Sequence, residues 1–173
     1  SCKVRMPCMA LKSNRSTNAM VKRDRKYTLD TNVFIRSFRD KSQNEAIQRF
    51  HRVLGPFEYL SSVIVHKLRA GVVNVRARRL LERHVLDPFR RRERIFTPSA
   101  KAWEQAGEVL SAMRNVDGVD LKRMRRSFAM DILLAVSCRE AGVVLVTENT
   151  ADFERICSHF RFEFIAPWPD PAN

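Results

Sequence analysis

From Tyr27 onward the chain alternates short apolar runs with helical stripes. KYTLD reads as a short strand ending on a charge, and TNVFIRSF opens a helix that Thr31 or Asn32 would cap. Residues 44–54 carry Ala46, Ile47, Phe50, Val53 and Leu54 at helical spacing and stop at Gly55–Pro56. FEYLS predicts a second strand, and SVIVHKLRAGV a helix capped by Ser61 or Ser62. A basic helical stretch runs to about Arg94, broken near Asp87–Pro88, before a third strand, RIFTP. AKAWEQAGEVLSAM predicts a helix closed by a turn near Gly118. FAMDILLAVSCREAG predicts an apolar helix closed by Gly142, VVLVT a buried strand, ADFERICSH a short helix and FRFEFIA a last strand.

Strands that alternate with helices predict an α/β domain with a mostly parallel sheet covered on both faces, and ligands of such sheets bind at the carboxyl ends of the strands. Composition narrows the class. Hydrophobic residues at 45%, with 5 Gly and 7 Pro, exclude a wholly disordered or collagen-like chain. No run reaches the roughly 18 apolar residues of a membrane span, and the expected setting is cytoplasmic. The four cysteines form no C-x-x-C pair and the histidines fall at no ligand spacing, so Cys138 and Cys157 read as small buried apolar residues.

Charge is the distinguishing feature: 32 Lys and Arg stand against 19 Asp and Glu, a formal +13. Residues 1–26 hold eight of the basic residues against Asp24 alone. They are expected to form a poorly ordered basic extension, with Met20 a candidate start and 1–19 in part foreign to the native chain. The domain is assigned to 27–167, and 168–173 is a Pro-rich tail.

Three acids sit where ordinary packing would not put them. Asp30 ends an apolar strand at the carboxyl edge of the sheet. Asp131 lies inside FAMDILLAV, where an unpaired buried carboxylate would cost several kcal/mol or shift its pKa upward. Asp152 follows VVLVT on a loop leaving the same edge. A cluster of carboxylates repels itself unless a cation sits among them, and oxygen-only clusters select Mg²⁺ or Mn²⁺, which can activate water for phosphodiester hydrolysis. Taken singly, each acid has a plainer role: a helix cap for Asp30, a first-turn charge for Asp152, and a partner of Arg123 or Arg125 for Asp131.

YTLDTNVFIRSF (27–38), YLSSVIVHKLRAG (59–71), FTPSAKAWEQAG (96–107) and MDILLAVSCREAGVVLVTENTADFERI (130–156) together resemble the PIN domains of VapC-type toxin ribonucleases. The resemblance spans about residues 27–167. It implies a PIN-like three-layer α/β/α fold, Mg²⁺- or Mn²⁺-dependent endoribonuclease activity, a cognate antitoxin and a homodimer. By position Asp30, Asp131 and Asp152 match metal-binding acids, and Asn32, Thr147 and Asn149 match supporting polar residues.

One position departs from the family pattern. Its second acid is a Glu in a block resembling S-S-V-V-x-x-E-L-R-A-G, and Lys67 stands there instead. An ammonium about 4 Å from a carboxylate is worth roughly 4 kcal/mol at an effective dielectric near 20, and it occupies the region a metal would take. Either Lys67 weakens or inactivates the enzyme, the reading adopted, or it points outward and the remaining acids still hold one metal ion. A catalytically silent module that binds RNA or an antitoxin is the alternative function. A phosphate-accepting signalling domain is less well supported, because only Asp30 stands at the end of the first strand.

Lys122, Arg123, Arg125 and Arg126 precede the Asp131 helix and are assigned to the RNA backbone, since arginine-rich faces match phosphate geometry. The arginines of 76–94 suit RNA or an acidic antitoxin segment equally. Phe160, Phe162 and Phe164 alternate as a half-buried strand would, and Trp103 reads as packing.

Overall fold

A computed structural model describes residues 25–167. The extension expected over 1–26 therefore lies outside the described residues except for its last two, and the tail expected over 168–173 lies outside them altogether. Strand β1 (Lys26–Leu29) leads into helix α1 (Thr31–Arg39) and α2 (Lys41–Leu54), then β2 (Leu60–Ser61) and α3 (Ser62–Ala70). Helix α4 (Val75–Leu81), a π-helical turn over Glu82–Leu86 and α5 (Asp87–Arg91) form the basic stretch. Next come β3 (Ile95–Phe96), α6 (Ala100–Asp117), α7 (Arg126–Ala141), β4 (Val143–Val146), α8 (Thr150–Cys157) and β5 (Phe164–Ile165).

All the strand pairings among the described residues are parallel. β4 lies between β1 and β5, while β2 pairs with β3 and joins β1 through the bridge between Tyr27 and Glu58. Helices cover the sheet in the three-layer α/β/α manner expected. Parallel strands covered on both faces read as continuous apolar runs, and all four residues of β4 are buried.

Local chemistry explains the boundaries. Asp40, Ser61, Asn74 and Ser99 accept backbone N–H groups at the starts of α2, α3, α4 and α6, satisfying donors that a helix leaves open in its first turn. Gly118 and Gly142 end α6 and α7 in the left-handed conformation, at φ 66° and 64°. Helix α1 is capped by Asp30, the plainer role the sequence offered it, and not by Thr31 or Asn32.

The core is continuous from β1 through α7 to the last strand. Phe153 is fully buried and packs edge-on against Phe162 and tilted against Phe164, which stack on each other at 5.3 Å. Burying such a side chain is worth about 1.5–3 kcal/mol. The phenylalanines are therefore core, as expected, although the strand carrying them shrinks to Phe164–Ile165 because 161–163 make no ladder. Trp103 is 58% exposed and Val53 is 53% exposed, so neither is the packing residue that its helical stripe suggested.

Candidate functional site

Parallel pairing fixes where the acids emerge. Leu29 pairs with Val146, so Asp30 and Thr147 leave the sheet side by side, and the Asp30 N–H donates to the Val146 carbonyl at 2.8 Å. Asp30 is 3% exposed, and Thr147 is fully buried beside it. One Asp30 carboxylate oxygen accepts the Thr31 N–H at 2.7 Å, and the other accepts the Thr147 hydroxyl at 2.8 Å. Thr147 Oγ1 in turn accepts from Asn32 Nδ2 at 3.2 Å and from the Asn149 N–H at 3.1 Å. A hydroxyl has one donor and two lone pairs, and all are used here. Asn149 Nδ2 then donates to Asp152 Oδ2 at 2.8 Å. Asn32, Thr147 and Asn149 thus form one hydrogen-bonded chain from Asp30 to Asp152.

Helix α7 brings Asp131 to the same end of the sheet. Its buried residues run from Phe128 through Cys138 on nearly every face, and Asp131 is among them. Helix α3 starts where β2 ends and carries Lys67 inward. The Lys67 ammonium donates to Asp131 Oδ1 and lies 3.7 Å from Asp30 Oδ1, with its side chain 16% exposed. The outward-pointing reading of Lys67 is therefore overturned.

The Asp131 carboxyl is held above the ordinary aspartate range. Burial is the largest cause, Lys67 opposes it, and Asp30 and Asp152 add repulsion. That repulsion places Asp152 within electrostatic reach of Asp131. Asp152 is the third residue of α8 and lies in its first turn, so the plainer first-turn role holds and the loop placement does not. Arg125 Nη2 donates to its Oδ2 at 3.1 Å, so Arg125 pairs with Asp152 and Arg123 with Asp120, while Asp131 takes Lys67.

Sequence reasoning missed the pair between Arg36 and Glu148, joined at 2.9 Å, although Glu148 follows Thr147 directly and its N–H faces Asn32 Oδ1 at 3.5 Å. Cys138 lies buried on α7, and burial pushes its thiol well above the ordinary range, which removes it as a nucleophile.

A divalent ion needs several oxygens free to converge on it. Here three carboxylates face two cations, Lys67 and Arg125. Among the described residues no three Asp, Glu, His or Cys side chains are arranged to hold a metal ion. As it stands, the centre does not fit Mg²⁺ or Mn²⁺. Nor is any helix among the described residues long and apolar enough to cross a membrane.

No protein-family model matches the sequence, and neither does any curated protein. Solved structures do. A chain of the DNA-bound VapBC from Salmonella typhimurium is 22% identical, with a TM-score of 0.62 over 82% of this chain and 98% of that one. A chain of FitAcB from Neisseria gonorrhoeae is 20% identical, with a TM-score of 0.60 over 82% and 98%. One of VapBC2 from Rickettsia felis, bound to a promoter DNA fragment, is 22% identical, with a TM-score of 0.57 over 83% and 98%. The parallel sheet thus delivers Asp30, Asp131 and Asp152 to one end, in a chain that shares the α/β/α fold of these VapBC and FitAcB chains over nearly their whole length.

Proposed function

We propose that this chain is a toxin-type PIN domain of a toxin–antitoxin pair, built to hydrolyse RNA phosphodiesters, in which Lys67 closes the carboxylate centre. RNA cleavage by the chain as it stands is then weak or absent, and binding of RNA at its basic rim persists. The observation that carries this reading is the Lys67 ammonium lodged between Asp131 and Asp30. An ammonium balances the carboxylates electrostatically, yet it cannot act as a Lewis acid or lower the pKa of a water molecule. Asp30, Asp131 and Asp152 would otherwise present oxygens to Mg²⁺ or Mn²⁺, and the Asn32–Thr147–Asn149 chain would keep them oriented.

Arg125, which touches Asp152, and its sequence neighbours Lys122 and Arg126 are exposed and offer the phosphate-matching charge that RNA backbone binding needs. The likeness to VapBC and FitAB structures supports an antitoxin partner, and a homodimer belongs to the same reading. A second reading, a silent module that only binds RNA or an antitoxin, rests on the same Lys67 contact.

A paired nuclease assay of the native chain and Lys67→Glu, with Mg²⁺, Mn²⁺ and EDTA, separates them. The expected result is EDTA-sensitive cleavage that is much stronger in Lys67→Glu, together with a higher Mn²⁺ affinity. Equal cleavage by the two proteins sinks the closure by Lys67. Binding of RNA by both, with cleavage by neither, selects the silent module.

A further inference from the structure

The two cations among the carboxylates are held in different ways. Lys67 is enclosed between two acids. Arg125 reaches Asp152 from the N-cap position of α7, with its side chain 73% exposed and that of Asp152 23% exposed. Exposed pairs of this kind contribute little, so a competing anion can take the guanidinium. Phosphate is a suitable competitor, because the planar fork of Arg engages it through two parallel hydrogen bonds. Asp152 Oδ2 also keeps its bond from Asn149 at 2.8 Å, so it retains a partner when Arg125 departs. Lys122 and Arg126, close by in sequence, make no ion pair among the described residues.

We propose that Arg125 is a displaceable counter-ion. In the free protein it neutralises Asp152, and on RNA binding it passes to a backbone phosphate and uncovers the Asp152 carboxylate. Carboxylate and phosphate therefore compete for one guanidinium, and RNA affinity is set in part by how firmly Asp152 holds it. The inference rests on the RNA-binding part of the proposed function and is independent of hydrolysis.

A double-mutant cycle on RNA affinity tests it, with a 2′-O-methylated oligoribonucleotide as a probe that resists cleavage. Asp152→Asn is expected to tighten binding by up to about fivefold, the release of one exposed ion pair. Arg125→Gln is expected to weaken binding and reduce the salt slope by about 1. In the Arg125→Gln background, Asp152→Asn is expected to give no gain. Arg79→Gln, which removes the same charge from α4, is expected to leave that gain intact.

An equal gain with and without Arg125 would overturn the proposal, since long-range charge alone would then explain it. No gain in the native background would overturn it too. Unchanged thermal unfolding of both variants guards against misfolding. If the native chain fails to bind the probe, this inference ends, while cleavage by Lys67→Glu reports separately on the hydrolytic centre.

Discussion

Glu82 and Asp131 are both paired with basic side chains, and their acidities move in opposite directions. Glu82, in the π-helical turn, accepts from Arg69 at 2.6 Å and from Arg90 on the half-exposed surface of the basic stretch. Its carboxyl lies below the ordinary glutamate range, chiefly because of the Arg90 hydrogen bond. Asp131 accepts from Lys67 with both side chains largely buried, and its carboxyl lies above the ordinary range because desolvation outweighs the ammonium. On the surface, water already solvates both ions and the pair only adds; in the interior, both ions must first be stripped of water. Contacts of the same type thus leave one acid below its ordinary range and the other above it, because burial decides the balance.

The sharpest way to break this comparison is to remove the inner cation. Lys67→Met leaves Asp30 and Asp131 buried without it, and is expected to cost about 3–5 kcal/mol in urea unfolding at neutral pH. Adding Asp131→Asn should recover part of that loss. A cost below about 1 kcal/mol would show that water screens the centre as it does the surface.

A smaller effect concerns pH. Because the folded-state pKa of Asp131 is raised above the ordinary value of 3.8, its contribution to stability is fully present below that value and is lost as pH rises through the folded pKa. Asp131→Asn should therefore flatten any decline in urea midpoint as pH rises above the ordinary aspartate value. Glu82 has the opposite sign. Its pKa is lowered from 4.5, so its contribution is present above that value and lost as pH falls through the folded pKa. The smallest expected effect is that of Glu82→Gln, a loss under about 1 kcal/mol that shrinks further in high salt.

The same contrast separates what could be read along the chain from what could not. Most strands and helices were legible from apolar spacing and caps, because those signals lie within a few residues of one another, whereas the break expected near Asp87–Pro88 is a continuous α–π–α run. Asp30, Asp131 and Asp152 were legible as anomalies: a charge ending a strand, one inside an apolar helix, and one beyond the edge of a buried strand. Trp103 and Val53 were misjudged because periodicity identifies a face but not whether another element covers it. Arg36 and Glu148 escaped notice because neither breaks a local pattern.

The sequence alone determined a mostly parallel sheet and set Asp30 at the carboxyl end of its first strand, where ligands of such sheets bind. It also marked Lys67 as the residue at odds with a metal centre. Only the tertiary structure decided where that ammonium goes. Lys67 meets Asp131 across 64 residues, and Arg125 meets Asp152 across 27. Such pairings follow from the angle at which α3, α7 and α8 dock and from the water excluded between them. Neither quantity is encoded in local spacing, and both set whether a charge is shared, held fast or free to leave.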